Sequence, residues 1–109
     1  MAKNEQTQAN ALDQSQISQL LSHLDHWQLQ HTDSGYHLVK KYRCAQFADS
    51  MLLANQIANM AQLENHHPRL TIQSQWVQVC WWSESCQGLT EMDFIMAARC
   101  DELAERNVG

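Results

Sequence analysis

Glycine and proline are scarce in this chain of 109 residues, three and one respectively, and cations are few, with seven Lys and Arg against twelve Asp and Glu. The first scarcity excludes a fibrous or low-complexity architecture. The second leaves a formal net charge of −5 with six His counted neutral. Lys40, Lys41 and Arg43 form the sole cluster of positive charge, so the basic face that tracks a phosphate backbone is missing and nucleic acid is not an expected partner. No apolar run reaches the roughly 18–20 residues that a membrane helix needs, and no hydrophobic signal segment opens the chain, so the expectation is a cytoplasmic protein without a membrane partner. CxxC pairs are also lacking. Cys44, Cys80, Cys86 and Cys100 are expected to stay reduced, and no spacing of thiols with His66 or His67 matches a structural zinc site, so no metal is assigned.

What is present suits one modest core. The apolar fraction is 44%, with four Trp and five Met, and a chain of this size buries roughly 60–70% of the surface it exposes when unfolded. Residues 1–11 are polar, rich in Gln and Asn and without period, and read as a disordered tail. The domain is expected over 12–109.

Asp13 can cap a first helix, with Gln16 at its third position and Leu12 and Ile17 at the spacing of a hydrophobic staple. Ile17, Leu20, Leu21 and Leu24 then share one helical face. Trp27, Leu29 and His31 alternate with Gln28 and Gln30, and the turn cluster Asp33-Ser34-Gly35 leads to Tyr36, Leu38 and Tyr42, which predicts a β-hairpin. Gln46 to Leu63 lacks Gly and Pro, and Phe47, Met51, Ala54, Ala58 and Ala61 trace a seam for a second helix that ends before Pro68. A short strand over Thr71–Ser74 and a longer one over Trp76–Ser83 follow, with Val77, Val79 and Trp81 on one face and Gln78, Cys80 and Trp82 on the other. Thr90 can cap a last helix running to about Glu105, with Asp93 three residues on and Leu89 and Phe94 as its staple. The order is αββαββα, an α+β fold with a four-stranded antiparallel sheet and the helices on one face.

Between helix and strand lies Glu64-Asn65-His66-His67-Pro68. Adjacent imidazoles are weak evidence alone, because six His in a chain of this length place such a pair by chance in about one case in three. Pro68 biases His67 to an extended conformation, so the two rings diverge, one inward and one at the rim. Two solvated imidazoles after a helix are the simpler reading of the pair by itself.

The longer string is more specific. His66-His67-Pro68 followed, at the family's fixed distance, by Gly88-Leu89-Thr90-Glu91-Met92-Asp93-Phe94 resembles the pterin-4a-carbinolamine dehydratase family. The likeness extends from about Leu12 to Glu105 and includes Trp27 and Phe47. The resemblance implies loss of water from a 4a-hydroxy-tetrahydropterin to give a quinonoid dihydropterin, in the recycling of tetrahydrobiopterin, with no cofactor. Imidazole suits that step, because hydroxide leaves only when protonated and N5 must give up a proton. By match to the motif, His66 and His67 form the acid/base and positioning pair. The expected pterin lining is Asn65, His66, His67, Pro68, Trp82, Ser83, Glu84 and Ser85. Asp93 holds the family's acidic position, with plain helix capping as its competing role.

The chain departs from the family at three places. Gln62 stands where an ionisable residue is usual, Ser74 where an aromatic is usual, and Ser83-Glu84 where a Thr precedes a third His. Glu84 has two readings. Desolvated beside Trp82 it would stay protonated and act as a general acid, or ionised it would hold the pterin NH groups; otherwise it is a solvated strand-end residue. Trp82 either stacks on a flat heterocycle or partly fills the pocket, whereas Trp81 belongs to the sheet core. A binding or protein-interaction module on the same fold is therefore the alternative to an enzyme. A four-stranded sheet leaves edges to cover, and the resemblance implies a homodimer or homotetramer.

Overall fold

The computed structural model describes residues 10–108, and residues 1–9 of the expected tail lie outside them. Helix α1 spans Gln14–Leu21, β1 Gln28–Thr32, β2 Gly35–Arg43, α2 Phe47–Glu64, β3 Arg69–Gln73, β4 Trp76–Trp81 and α3 Glu91–Val108. The four strands form one antiparallel sheet in the order β1-β2-β4-β3, the α+β arrangement expected. Asp13 and Gln16 make the reciprocal capping box at the start of α1. Ordered packing begins before Leu12: its N–H donates to Leu89 O at 2.8 Å, and a Cβ on Gly88 would meet Ala11 Cβ at 2.9 Å.

One sheet face carries Leu38, Val77, Val79 and Trp81, all 0% exposed, against Ile17 of α1, Leu53, Ala54, Ile57 and Ala61 of α2, and Met96, Ala97 and Cys100 of α3. Ala54 and Ala61 present so little bulk that α2 lies close on β3 and β4. The seam expected on α2 is turned by about one residue. Its buried side is Ser50, Leu53, Ala54, Ile57 and Ala61, while Phe47 and Met51 are exposed. Leu53 and Ile57 bring more apolar volume to the core than Ala58 does, and burial follows volume.

Other boundaries shift for local reasons. Leu24 lies beyond α1 but still packs on the core. The last strand stops at Trp81, because Ser83 pairs with Gly88 across a short 3₁₀ turn, Glu84–Cys86. The strand before it starts at Arg69 and ends at Gln73. Cys80 faces away from the helices yet is 3% exposed, since Trp82 and His37 cover it.

Helix α3 is tied to the hairpin through Asp101. Lys40 Nζ approaches its Oδ1 at 2.7 Å, Tyr42 OH donates at 2.6 Å and Trp27 Nε1 at 3.2 Å. Burial and the hydrogen bond to Asp101 push the Tyr42 phenol far above its ordinary range. The four cysteines are free, and burial pushes the Cys100 thiol up to about 12.

Gly35 opens β2 with φ +101°, and a Cβ there would lie 1.9 Å from the carbonyl oxygen of Gln87. That approach seats the 84–88 turn against the hairpin. Gly35→Ala is expected to cost at least about 2 kcal/mol, lowering the melting temperature by about 8 °C or more. Circular-dichroism melting checks it, and a shift under about 2 °C would contradict this account.

Candidate active site

The segment that carries the paired imidazoles is shaped by how α2 ends. Asn65 adopts the left-handed conformation, φ 53° and ψ 40°. Its N–H donates to Gln62 O and the N–H of His66 to Ala61 O, at 3.2 and 3.1 Å. This is the Schellman closure, and Asn is the side chain that tolerates left-handed backbone best after Gly. Asn65 thus has a structural reason to be there. Arg99 on α3 pairs with Glu64 at 2.7 Å, which adds a surface tie.

His66 turns inward. Its ring lies parallel to the Trp81 indole, with centroids 5.6 Å apart and planes 4° apart, and its Nε2 is 2.6 Å from Asp93 Oδ1. His67 lies at the exposed rim, with Nε2 3.3 Å from Gln62 Oε1.

Asp93 is 0% exposed and fully partnered. Oδ2 accepts from Ser83 Oγ at 2.8 Å and from the Thr90 N–H at 2.9 Å, the second bond capping α3. Thr90 Oγ1 adds a longer contact at 3.4 Å. Leu89 and Phe94, 0% and 6% exposed, flank the cap as its staple. With the carboxylate acting as acceptor and resting on a helix N-terminus, His66 Nε2 is the donor to Oδ1. The uncharged ring therefore keeps its lone pair on Nδ1. The two competing roles of Asp93 are carried by its two oxygens, one capping the helix and the other holding His66.

The remaining expected residues divide. Ser83 is buried and bound to Asp93, while Glu84 and Ser85 are exposed on the 3₁₀ turn. Glu84 is therefore not the desolvated carboxyl beside Trp82, because the turn carries it outward. Pro68 is half-buried and leads into β3. His37 of β2 stacks on Trp82 with centroids 4.3 Å apart at 12°, and the Arg69 guanidinium of β3 lies 5.0 Å over the same indole. Because β2 and β3 flank β4 on opposite sides, a flat heterocycle would stack on Trp82 only by displacing one of them.

Sequence reasoning missed His37 and Arg69 as neighbours of the site. Strand alternation gives the sheet face of His37 and Arg69, but only the pairing of β2 and β3 with β4 brings both to Trp82. Burial and then the Arg69 charge hold the His37 imidazole below its ordinary range, against the opposing pull of Asp93. A cavity of about 580 Å³ opens elsewhere, beside Lys40, Tyr42, Arg43 and Asp101, and includes none of the expected residues. Among the described residues no group of three or more His, Cys, Asp or Glu is placed to hold a metal ion.

The family model described as pterin 4 alpha carbinolamine dehydratase matches residues 10–103. The chain belongs to that family. A Vibrio cholerae protein provisionally named a pterin-4-alpha-carbinolamine dehydratase is 44% identical over 95 residues, covering 87% of each chain. The crystal structure titled transcriptional coactivator/pterin dehydratase from Brucella melitensis superposes with a TM-score of 0.78 at 27% identity, over 87% of this chain and 99% of that one. A pterin dehydratase-like protein identified as a RuBisCO assembly factor in the alpha-carboxysome shares the fold, with a TM-score of 0.62 at 20% identity over 75% and 96% of the two chains. In this dehydratase-family chain the His66–Asp93 pair lies within the matched region.

If Asp93 organises the site, its loss exceeds that of any single donor. Asp93→Ala is expected to cost about 3 kcal/mol, from the lost cap and stranded buried donors, and Ser83→Ala about 1 kcal/mol. Urea unfolding measures both. Equal costs would mean that Asp93 is only one more hydrogen bond.

Proposed function

We propose that this chain is a hydro-lyase that dehydrates a pterin-4a-carbinolamine, a 4a-hydroxy-tetrahydropterin, to the quinonoid dihydropterin. The observation that carries this reading is the 2.6 Å contact between His66 and a fully buried carboxylate. In the reaction the N5–H bond breaks, the electron pair forms the C4a=N5 bond, and the C4a–OH bond breaks as the oxygen is protonated and leaves as water. His66 takes the N5 proton on Nδ1, and Asp93 stabilises the imidazolium so formed, holding the ring in one tautomer and one orientation. His67, at the rim, delivers a proton to the departing hydroxyl. Ionised Glu84 at the mouth receives the pterin NH groups, and Asn65, Pro68, Ser83 and Ser85 shape the lining. No cofactor enters the scheme.

Family membership supports the general activity, and a cytoplasmic homodimer or homotetramer is the assembly that fits. The edge strands β1 and β3 and the exposed Phe47, Leu52 and Leu63 of α2 favour self-association. A second reading, a non-catalytic pterin-binding or protein-interaction module, is favoured by the outward position of Glu84 and the occupied indole of Trp82. The likeness to the Brucella melitensis transcriptional coactivator/pterin dehydratase supports the same reading.

The assay that decides is dehydration of freshly generated 4a-hydroxy-tetrahydropterin, followed by ultraviolet absorbance. His66→Ala is expected to lower kcat/KM by about 10²–10³, and Asp93→Asn by about tenfold or more. Glu84→Gln should raise KM more than it lowers kcat. A rate equal to that of buffer would select the module reading.

A further inference from the structure

We propose that the pterin bound here carries an anionic group on its C6 substituent, phosphate ester or carboxylate, and that Arg69 is the residue selecting it. This rests on the pterin reading of the His66 site. Arg69 stands two residues beyond His67, past the Pro68 that locks the segment extended. It pairs across the sheet with Cys80, so its side chain shares the open face with Cys80 and Trp82, away from the helices. There its guanidinium lies 5.0 Å over the Trp82 indole. The next residue along, Ser83, donates from Oγ to Asp93 at 2.8 Å, so the stacked indole is joined by one peptide bond to the residue that bonds the carboxylate holding His66.

The charge of Arg69 belongs to the same neighbourhood as the dyad. His37 and Cys80 feel both the Arg69 guanidinium and the Asp93 carboxylate. Among the described residues the ion pairs are Lys40 with Asp101, His66 with Asp93 and Arg99 with Glu64, and Arg69 enters none of them. Arg69 is exposed. An arginine steadied by an aromatic ring while its N–H donors stay unspent is suited to a planar carboxylate or a phosphate, which it grips with two parallel hydrogen bonds. In a chain of net charge −5, a general attraction for anions is absent, so an anion drawn here is drawn locally. A neutral polyol tail would leave this cation unused. Glu84 at the mouth carries the opposite charge and suits the NH groups of the heterocycle, so the two charges orient the ligand by its two ends.

The test is calorimetric binding of three dihydropterins to the full chain at low salt. They are 6-hydroxymethyl-7,8-dihydropterin, its phosphate monoester, and the 6-carboxyl analogue. At least one anionic ligand is expected to bind about tenfold more tightly than the neutral one, the scale of one charge-assisted contact. The ratio of anionic to neutral affinity should fall toward one in Arg69→Gln and survive in part in Arg69→Lys. Equal affinities in the parent protein, or a ratio that persists in Arg69→Gln, overturns the assignment while leaving the pterin reading intact. Failure of all three ligands to bind overturns both.

Discussion

The Asp93 carboxylate is the point on which this end of the molecule depends. A carboxylate with no exposure is costly unless each oxygen is partnered, and Asp93 draws its donors from separate segments. Ser83 comes from the turn after β4, Thr90 from the cap of α3, and His66 from the chain leaving α2. Satisfying one buried charge thereby fixes three connections at once. The imidazole that results is oriented from behind, parallel to Trp81, with one nitrogen committed and the other available.

The same helix repeats the device about two turns further along. Asp101 gathers Lys40, Tyr42 and Trp27 from the hairpin and its approach. The two carboxylates divide the work. Asp101 binds α3 to strand β2, and the cavity beside it is lined by polar and apolar side chains together, Lys40, Tyr42 and Asp49 with Leu53 and Ala104. Asp93 binds α3 to loops, and loops are where a scaffold can place reactive side chains without opening its core. Trp81, at 0% exposure, separates the apolar interior from His66 and supplies the flat wall against which the ring is held.

On the opposite sheet face a different economy operates. His37, Trp82 and Arg69 stack in a row across β2, β4 and β3, and together they shield Cys80. Trp82 of that row leads directly into the 83–88 turn, which is braced by the close approach of Gly35 to Gln87. Glu84 lies exposed on that turn. The inward imidazole and its carboxylate therefore sit at the end of a sheet whose other face is already filled by stacked side chains.

Much of the architecture was legible from local chemistry. Alternation in the hairpin, the unbroken run from Gln46 to Leu63, the staple of Leu89 with Phe94 and the punctuation by Pro68 act over a few residues, so element order and the location of the His66-His67 segment could be read directly. Local patterns do not choose between two apolar sides of one helix. Phe47 and Met51 looked like core on spacing, but the space beneath the sheet went to Leu53 and Ile57. Nor could spacing show which His turns inward, since that follows from a buried acceptor 27 positions away on α3. Spacing left Glu84 open between a carboxyl desolvated beside Trp82 and a solvated one, and a turn closed by Ser83 and Gly88 carries it outward. The sequence by itself determined the elements and the chemistry available to them, because propensity, capping and alternation are short-range. Only the tertiary structure decided the partners, joining His66 to Asp93 and Arg69 to Trp82, because strand register and the burial of charge are settled between segments distant in the chain.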